Sequence, residues 1–315
     1  MTVTTDHALP MILDEVEVTS VELLSPSFVR VELGGAVLAD FGVDGPLYDQ
    51  RIKLVFSNDA GNLPSFEGAD DSWWNSWLEI PASERGHMRT YTVRDVRGTG
   101  VDTRLVVDLV LHLDDGATGP GAEWAARAAV GDRLITMAPR RGREFGGIEF
   151  APGTATSLLL VADETAVPAV CSILEDLPPD AVGAAFLEVP VRGDVLDVRG
   201  PEGVEVFWLP RDGQPLGARV HPAVLAHLGT PVGGPLDEGD DVDPDLWETP
   251  TYSSSGEPVE NTTVVGHDLD GLYAWIAGES GMVTALRRHL VRELGMDRRQ
   301  VAFMGYWRRG VAMRS

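Results

Sequence analysis

The most chemically suggestive segment of the chain is the run 89–94, RTYTVR, within a stretch that has the composition of a β-strand. Because side chains alternate along a strand, Arg89 and Tyr91 are expected on one face together with Val93. Thr92 is expected on the opposite face. A guanidinium suits a pyrophosphate, an aromatic ring stacks on a planar heterocycle, and a short hydroxyl can bond to a ring nitrogen. These are the groups that a flavin nucleotide needs, although a strand of this composition is often purely structural.

A second group of polar residues follows the apolar run 157–162, where the chain continues Asp163-Glu164-Thr165-Ala166. A dinucleotide site of the Rossmann type places bare N–H groups of a helix N-terminus against the pyrophosphate. Two carboxylates stand at that turn here, so we expect weak dinucleotide affinity, even if Asp163 caps the following helix. Farther along, Glu188 could accept from a ribose diol and favour NADH, whereas Arg192 could bind a 2′-phosphate and favour NADPH. The sequence leaves that choice open.

The first half of the chain has the pattern of an all-β domain. From residue 15 to about 140, six short β-rich runs alternate with segments rich in Gly, Pro and Asp. This spacing predicts an antiparallel Greek-key barrel. The clearest helix among these runs is GAEWAARAAV at 121–130, which we expect to cover the mouth of the barrel.

Beyond residue 152 strands and helices alternate, so we predict a first domain over 1–152 and a second over 153–315. Five apolar strand-like runs separated by helical segments predict a doubly wound parallel sheet in the second domain. The stretch 229–263 is rich in Gly, Pro, Ser and acidic residues and has no sustained period. It is predicted to be a mobile insertion, in which Trp247 and Tyr252 leave a lid role open.

Composition excludes several classes of function. The 315 residues carry a formal net charge of −24, which argues against nucleic-acid binding and makes an acidic protein partner unfavourable. The single cysteine, Cys171, rules out an intramolecular disulfide and a thiolate metal cluster, so no resident metal is expected. No apolar run of eighteen residues and no secretory leader pattern is present, so we expect a cytoplasmic protein without membrane association.

Several motifs in sequence order resemble the siderophore-interacting protein family, which consists of FAD-dependent ferric-siderophore reductases in the ferredoxin–NADP reductase superfamily. The resemblance rests on segments that extend from the barrel to the last strand: RTYTVR at 89–94, VLH at 110–112, GPGAEWA at 119–125, GD at 131–132, ADETAVP at 162–168, AGES at 277–280 and GYWRRG at 305–310. The match departs at Gly121, where the family usually has Ala, and at Ala122, where it often has Ser. The serine hydroxyl that the family often offers to FAD is therefore absent there.

The resemblance implies a two-domain oxidoreductase that passes electrons from NADH or NADPH through FAD to a ferric siderophore and releases Fe(II) for iron assimilation. The residues implied to bind cofactor are Arg89, Tyr91, Thr92, Val93, His112, Gly119, Pro120, Gly121, Ala122, Asp163, Thr165, Ala166 and Trp307. Lys53, the only lysine, and Arg308 are the implied contacts of the anionic or oxygen-rich siderophore. The electron step needs no protein acid or base, so we predict no catalytic side chain.

Two other functions stay open at this point. The chain could be another flavin reductase of the same superfamily, although it has no cysteine set for an iron–sulfur centre. It could also be a protein that binds siderophore or flavin without catalysis. A ferredoxin is possible as the electron donor in place of NADH or NADPH. The tryptophans and tyrosines outside the motifs are expected in the core or at its rim.

Overall fold

The structure of the protein is a computed structural model. The described residues are 9–111, 119–237, 246–250, 252–254 and 269–311. The chain forms two compact units: the barrel unit, Met1–Leu23 with Phe28–Gly147, and the sheet unit, Leu24–Ser27 with Ile148–Arg314. The predicted functional division at residue 152 stays a prediction.

The barrel unit contains the six predicted strands, one of which is interrupted. Its strands are β1 (Met11–Ser25), β2 (Phe28–Gly34), β3 (Arg51–Phe56), β4 (His87–Thr92), β5 (Asp95–Arg97), β6 (Arg104–Val110) and β7 (Arg133–Pro139). Their order in the sheet is β4-β3-β7-β1-β2-β6-β5. The pairs β4–β3, β3–β7, β7–β1, β2–β6 and β6–β5 are antiparallel.

The sheet closes on itself because its two edge strands are nearly continuous in the chain. Only Val93 and Arg94 separate β4 from β5. The amide of Val93 donates to the carbonyl of Gln50, next to β3, at 2.8 Å, and the amide of Arg94 donates to Val106 of β6 at 2.8 Å. The chain thus passes from one sheet edge to the other within two residues, which confirms the predicted antiparallel barrel.

Two short helices accompany the barrel. The first, α1 (Trp73–Glu79), lies between β3 and β4 and was not predicted. The second, α2 (Pro120–Ala125), buries Trp124 and Ala125 in the barrel core. The predicted helix 121–130 is too long, because the amides beyond α2 bond outside a helix: Ala129 donates to the Asp132 carboxylate at 2.9 Å and Gly131 donates to the Val18 carbonyl at 2.9 Å.

The sheet unit contains the five predicted parallel strands. They are β8 (Ser157–Ala162), β9 (Gly183–Val189), β10 (Val204–Pro210), β13 (Leu272–Glu279) and β14 (Val301–Trp307), arranged in the order β10-β9-β8-β13-β14. The helices are α3 (Val167–Asp176), α4 (Val220–His227) and α5 (Ser280–Arg287), the last continued by the π-helical turn Arg288–Glu293. The sheet is doubly wound, as predicted, and its order reverses between β8 and β13, the usual position of a ligand crevice.

The described part of the stretch 229–263 contains strands that were not predicted. Within it lie two short strands, β11 (Trp247–Thr249) and β12 (Tyr252–Ser253), and β11 pairs antiparallel with β14. The Trp247 ring stacks on Tyr306 with centroids 6.0 Å apart, and the buried carboxylate of Glu248 forms a bidentate ion pair with Arg287 at 2.6 and 2.8 Å. Residues 247–249 thus form an edge strand that was not predicted, and the mobility of the insertion stays a prediction.

Candidate functional site

The β3–β4 pair separates the predicted flavin residues from the predicted substrate lysine. Arg89 pairs with Leu54 and Tyr91 with Ile52, both in the barrel core, so these two side chains leave the strand on the interior side. Val93 is also buried in that core. This confirms the face alternation predicted for RTYTVR.

Arg89 is a half-buried cation without an acidic partner among the described residues. Its only hydrogen bond there runs from Nη1 to the carbonyl of its own neighbour Met88, at 2.7 Å. Burial lowers the pKa of the Arg89 guanidinium, with an opposing contribution from Tyr91. A buried charge is costly unless an opposite charge compensates it. A bound pyrophosphate would supply that charge, so Arg89 fits the phosphates of FAD.

Tyr91 is held in place by contacts on two sides. Its ring meets Phe56 edge to face, with centroids 6.0 Å apart and planes at 84°, and Phe56 in turn contacts Trp124 of α2 at 5.2 Å. The phenol oxygen of Tyr91 lies against Gly121, where an added Cβ would be only 1.9 Å away. Burial also raises the pKa of Tyr91, so the phenol is neutral at physiological pH. A fixed, neutral aromatic ring fits the stacking role predicted for a flavin.

The remaining residues predicted for the barrel site lie near these two or outside the described chain. Thr92 is buried on the outer side of the strand, opposite Arg51. Gly119 is the N-cap of α2 and Pro120 is its first residue, so the predicted turn begins a helix, with Gly121 and Ala122 buried. His112 lies outside the described residues. The structure thus brings Tyr91 and Gly121 together.

Lys53 lies on the face of the sheet opposite to Arg89 and Tyr91. It pairs with Thr90 across β3–β4, and its Nζ donates to the Thr90 hydroxyl at 3.2 Å. Burial, with a smaller contribution from Arg51, lowers the pKa of the lysine. No carboxylate of the described chain lies within ion-pair distance of its ammonium, so Lys53 keeps its positive charge available to a ligand.

In the sheet unit, two predicted residues, Thr165 and Trp307, bond to the buried carboxylate of a third, Asp163. Asp163 directly follows β8 and is completely buried. Its Oδ1 accepts from the amide and hydroxyl of Thr165 at 2.9 and 2.6 Å. Its Oδ2 accepts from the amide of Glu279 at 2.7 Å and from the indole Nε1 of Trp307 at 2.8 Å. Burial, reinforced by the neighbouring Glu164 charge, raises the pKa of Asp163 to about 7.

The contacts of Asp163 also bear on the N-terminus of α3, the helix that follows the turn. Ala166 is the N-cap of α3, and its amide donates to the Asp163 carbonyl at 3.0 Å. The suggestion that the Asp163 side chain caps this helix was wrong, because Thr165 and the neighbouring strands take up its carboxylate oxygens. Whether Asp163, Thr165, Ala166 and Trp307 bind a cofactor stays a prediction.

Arg308 is linked to a carboxylate that sequence reasoning did not assign to the site. Its Nη1 donates to Oε1 of Glu279 at 2.7 Å, and the Arg309 amide donates to the same oxygen at 3.2 Å. The other oxygen of Glu279 caps α5 by accepting from the Met282 amide at 3.0 Å. The AGES motif, which contains Glu279, was the available signal. The role of Arg308 as a substrate contact stays a prediction.

The hypothesis that Glu188 accepts from a ribose was wrong. Its carboxylate is fully buried and accepts from the amides of Gly217, Arg219 and Val220 at 2.8, 2.9 and 3.1 Å. Burial raises the pKa of Glu188, and the three amide bonds oppose that shift. The carboxylate therefore holds the segment that begins α4, and it does not face a ligand.

Glu164 is likewise engaged within the sheet unit. It forms a bidentate ion pair with Arg211 at 2.6 and 2.8 Å. Both carboxylates of the turn after β8 are thus buried and bonded to groups of the chain. The weak dinucleotide affinity expected from the sequence stays a prediction.

Two kinds of site are absent from the described residues. No group of three or more His, Cys, Asp or Glu in that part of the chain is arranged to hold a metal ion. No helix there is both long and apolar enough to span a bilayer.

Each of the two units matches a known protein family. Residues 17–143 match the siderophore-interacting FAD-binding domain, and residues 155–310 match the siderophore-interacting protein family. The first match contains the β3–β4 pair and α2, and the second contains Asp163, Glu279 and Trp307.

Similar proteins extend over nearly the whole chain. An uncharacterised protein of Mycobacterium tuberculosis is 34% identical over 300 residues, covering 93% of this chain and 89% of the relative. The ferric vibriobactin reductase of Vibrio cholerae is 29% identical over 311 residues, covering 97% and 92%. The NADPH-dependent ferric-chelate reductase of Escherichia coli is 30% identical over 212 residues, covering 65% and 74%. The crystal structure of a siderophore utilization protein from T. fusca superposes with a TM-score of 0.66 at 29% identity, covering 96% and 95%.

One assignment of domain type and family follows from the fold, the geometry around Arg89 and Tyr91, and these matches. The barrel unit is a siderophore-interacting FAD-binding domain, and the protein is an oxidoreductase. The chain belongs to the siderophore-interacting protein family.

Proposed function

We propose that this protein is an FAD-dependent ferric-siderophore reductase. The observation that carries the proposal is the uncompensated, half-buried charge of Arg89 beside the fixed ring of Tyr91, on a strand of the matched FAD-binding domain. The similarity to a ferric vibriobactin reductase and a ferric-chelate reductase supports iron complexes as the electron acceptors.

In the barrel unit each predicted residue has a proposed part. Arg89 neutralises the pyrophosphate, and Tyr91 stacks on the isoalloxazine ring. The Thr92 hydroxyl and the amides of the Gly119–Ala122 turn hydrogen-bond to the cofactor, with Val93 and His112 lining the same site. Bound FAD would supply the redox chemistry that links a two-electron hydride donor, NADH or NADPH, to a one-electron acceptor, Fe(III). The chain itself contributes orientation and charge.

The substrate proposed is an anionic or oxygen-rich ferric siderophore. Lys53 attracts it through an ammonium that has no carboxylate partner in the described chain, and Arg308 is the second proposed contact. Hard oxygen ligands bind Fe(II) much more weakly than Fe(III), so reduction releases the metal. Lys53→Ala should raise the apparent KM for an anionic ferric siderophore and leave flavin content unchanged. An unchanged KM would remove Lys53 from the substrate site.

The electron donor proposed is NADH or NADPH, bound weakly at the turn that contains Asp163, Thr165 and Ala166, with Trp307 nearby. A ferredoxin is the alternative donor, and the net charge of −24 disfavours it because ferredoxins are commonly acidic. We place the reaction in the cytoplasm, where reduced nicotinamide nucleotides are available. Anaerobic reduction of the bound flavin by NADH, compared with NADPH, identifies the donor.

The function is tested by two measurements on the purified protein. The visible spectrum should show the two flavin bands, in the blue and the near ultraviolet; a colourless protein that FAD does not reconstitute would contradict the flavoprotein assignment. With a reducing donor present, a ferric siderophore and a ferrous chelator should then report Fe(II). Binding of the siderophore without formation of Fe(II) would favour the non-catalytic alternative.

A further inference from the structure

A register shift at the end of β13 places Glu279 beside the last residues of β14. Gly278 pairs with Gly305, but the next residue, Glu279, pairs with Trp307, so the pairing skips Tyr306. An irregularity of this kind redirects the side chains that follow it. Glu279 therefore lies across from the end of β14 and the two arginines that follow it.

Two glycines allow the strand ends to approach this closely. An added Cβ at Gly278, whose φ is +147°, would lie 2.6 Å from Cγ of Asp163, and one at Gly305 would lie 2.4 Å from Oγ of Ser280. The Ser280 hydroxyl donates to the carbonyl of Trp307 at 3.0 Å. The AGES and GYWRRG motifs thus pack directly against each other.

The Glu279 carboxylate holds the side chain of Arg308 and the backbone after it. Its Oε1 accepts from Nη1 of Arg308 at 2.7 Å and from the Arg309 amide at 3.2 Å, and its Oε2 accepts from the Met282 amide at 3.0 Å. The carboxylate is 2% exposed, whereas the Arg308 side chain is 24% exposed. A ligand that arrives from solvent can therefore reach Arg308 and not Glu279.

This ion pair changes what Arg308 can offer to a ligand. A carboxylate at hydrogen-bond distance cancels much of the long-range field of the guanidinium. The planar fork of N–H donors keeps its directional value, and a long side chain that is already ordered loses less conformational entropy when a ligand binds. Direction, more than net charge, is then the contribution of Arg308.

We propose that Glu279 is a positioning residue for the substrate. It holds the Arg308 guanidinium in one orientation, from which the guanidinium donates to an anionic or oxygen-rich ferric siderophore. The inference rests on the proposed function, in which Arg308 contacts the substrate, and it adds a buried residue that acts through that contact.

The test measures binding of redox-inert gallium(III) complexes, so that affinity is read without turnover. The full-length flavoprotein is titrated with gallium(III) 2,3-dihydroxybenzoate and with gallium(III) citrate, and tryptophan fluorescence is followed. The variants are Glu279→Gln, Arg308→Ala and the two combined. Glu248→Gln is the matched control, because Glu248 is also a buried carboxylate of the sheet unit and forms a bidentate ion pair with Arg287 of α5.

Glu279→Gln should raise the Kd of the complex that the wild type binds by about three- to tenfold, because Arg308 is no longer held. The rate of iron reduction at saturating ferric complex should stay within about twofold of the wild type. The double variant should have the Kd of Arg308→Ala within about twofold, since Glu279 acts only through Arg308. Glu248→Gln should lower the urea midpoint and leave the Kd unchanged.

Several outcomes would overturn the inference. Loss of the negative charge alone would favour an anion, so a lower Kd for Glu279→Gln would show that Glu279 opposes binding. An unchanged Kd, additive effects of the Glu279 and Arg308 substitutions, or an equal rise in Glu248→Gln would also refute the positioning role. So would a wild type that binds neither gallium complex.

Arg308→Lys tests the same inference if Glu279→Gln fails to fold. Lysine keeps the charge and loses the planar fork, so this variant should bind the gallium complex as weakly as Arg308→Ala. Affinity equal to that of the wild type would show that charge alone matters. Failure of the proposed function gives a different result: a wild type that carries FAD, binds gallium(III) complexes and reduces no ferric complex would refute the reductase activity, whereas the titrations would still decide the role of Glu279.

Discussion

The indole Nε1 of Trp307 donates to Oδ2 of Asp163 across 2.8 Å, and this bond joins the end of β14 to the turn after β8. The same oxygen accepts from the Glu279 amide at the end of β13. One carboxylate therefore connects three neighbouring parallel strands at their carboxyl ends, where the strand order reverses. It fixes the position of Trp307, a predicted cofactor contact.

Replacing Asp163 with Asn should destabilise the protein in a pH-dependent way. All four bonds of Asp163 come from N–H or O–H donors, so the amide group of Asn meets at least one donor in either orientation, at a cost of about 1–3 kcal/mol. The carboxyl has a pKa of about 7 in the folded chain and about 3.9 unfolded, so the folded chain retains a proton between these values. Its contribution to the unfolding free energy must fall as pH rises from 4 to 7, by at most about 1.4 kcal/mol per unit.

Urea unfolding of the wild type and Asp163→Asn at pH 4.5, 6 and 8 measures this contribution. The stability difference between the two proteins should shrink as pH rises. Asp180→Asn, at an exposed position of the sheet unit, is the control and should follow the wild type. Parallel curves for wild type and Asp163→Asn would show that the carboxyl does not titrate in this range.

Arg89→Met should separate cofactor binding from folding. The charge-assisted contact to the pyrophosphate is worth about 1.5–3 kcal/mol, so the Kd for FAD should rise about 10- to 100-fold. The apoprotein should unfold at the same or higher urea concentration, because the variant removes a partly buried charge whose only described hydrogen bond is to Met88. The measurements are FAD titration of the apoprotein and urea unfolding. Arg127→Met, at an exposed position, should leave FAD affinity unchanged; equal FAD affinity of Arg89→Met and wild type would refute the assigned role.

Gly121→Ala should disturb Tyr91, and removal of the tyrosine hydroxyl should relieve the effect. An added Cβ would lie 1.9 Å from the Tyr91 hydroxyl oxygen, whereas its next neighbour is a ring carbon at 3.3 Å. Overpacking of this kind costs about 1–3 kcal/mol. The double variant Tyr91→Phe with Gly121→Ala should recover most of that stability relative to Tyr91→Phe alone. The Tyr91 phenol therefore leaves no room for a Cβ at position 121 in this chain.

A double-mutant cycle of urea midpoints and FAD affinities tests the Gly121 contact. Gly119→Ala is the matched control, since Gly119 has φ −75° and an added Cβ there meets nothing within 4 Å. Additive effects of the Tyr91 and Gly121 substitutions would mean that the two residues do not constrain each other.

The features that the sequence predicted correctly depend on local periodicity. The continuous apolar run of β8 indicated a strand buried on both faces, and alternation in RTYTVR placed Arg89 and Tyr91 together. The helix α1 was missed because seven residues with three tryptophans give too short a pattern to distinguish a helix from a strand. β11 was missed for a related reason: its three residues are a strand only because the edge of β14 is available.

The site residues show what the sequence could not predict, namely which groups their polar atoms contact. Asp163 was identified from its motif, but its donors Glu279 and Trp307 are 116 and 144 residues away in the chain. Glu188 was assigned to a ribose because it lies at the end of β9, and only the fold shows that the start of α4 occupies it. A motif therefore identifies a chemically important residue without saying whether its polar atoms face a ligand or the chain.

Glu188→Gln should lower stability without changing the preference between NADH and NADPH. The carboxylate accepts three backbone amides, two at Oε1 and one at Oε2, and the amide group of Gln would face at least one N–H donor. The expected loss is about 1–3 kcal/mol of unfolding free energy. Because the side chain is fully buried, the ratio of the flavin reduction rates with NADH and NADPH should stay within about twofold of the wild type. Arg192→Ala should be measured alongside. A selective loss of the NADPH rate in that variant would indicate that Arg192 binds the 2′-phosphate. If Glu188→Gln changed the ratio of the NADH and NADPH rates and left stability unaltered, the hypothesis of a ribose contact would be supported in spite of the burial of Glu188.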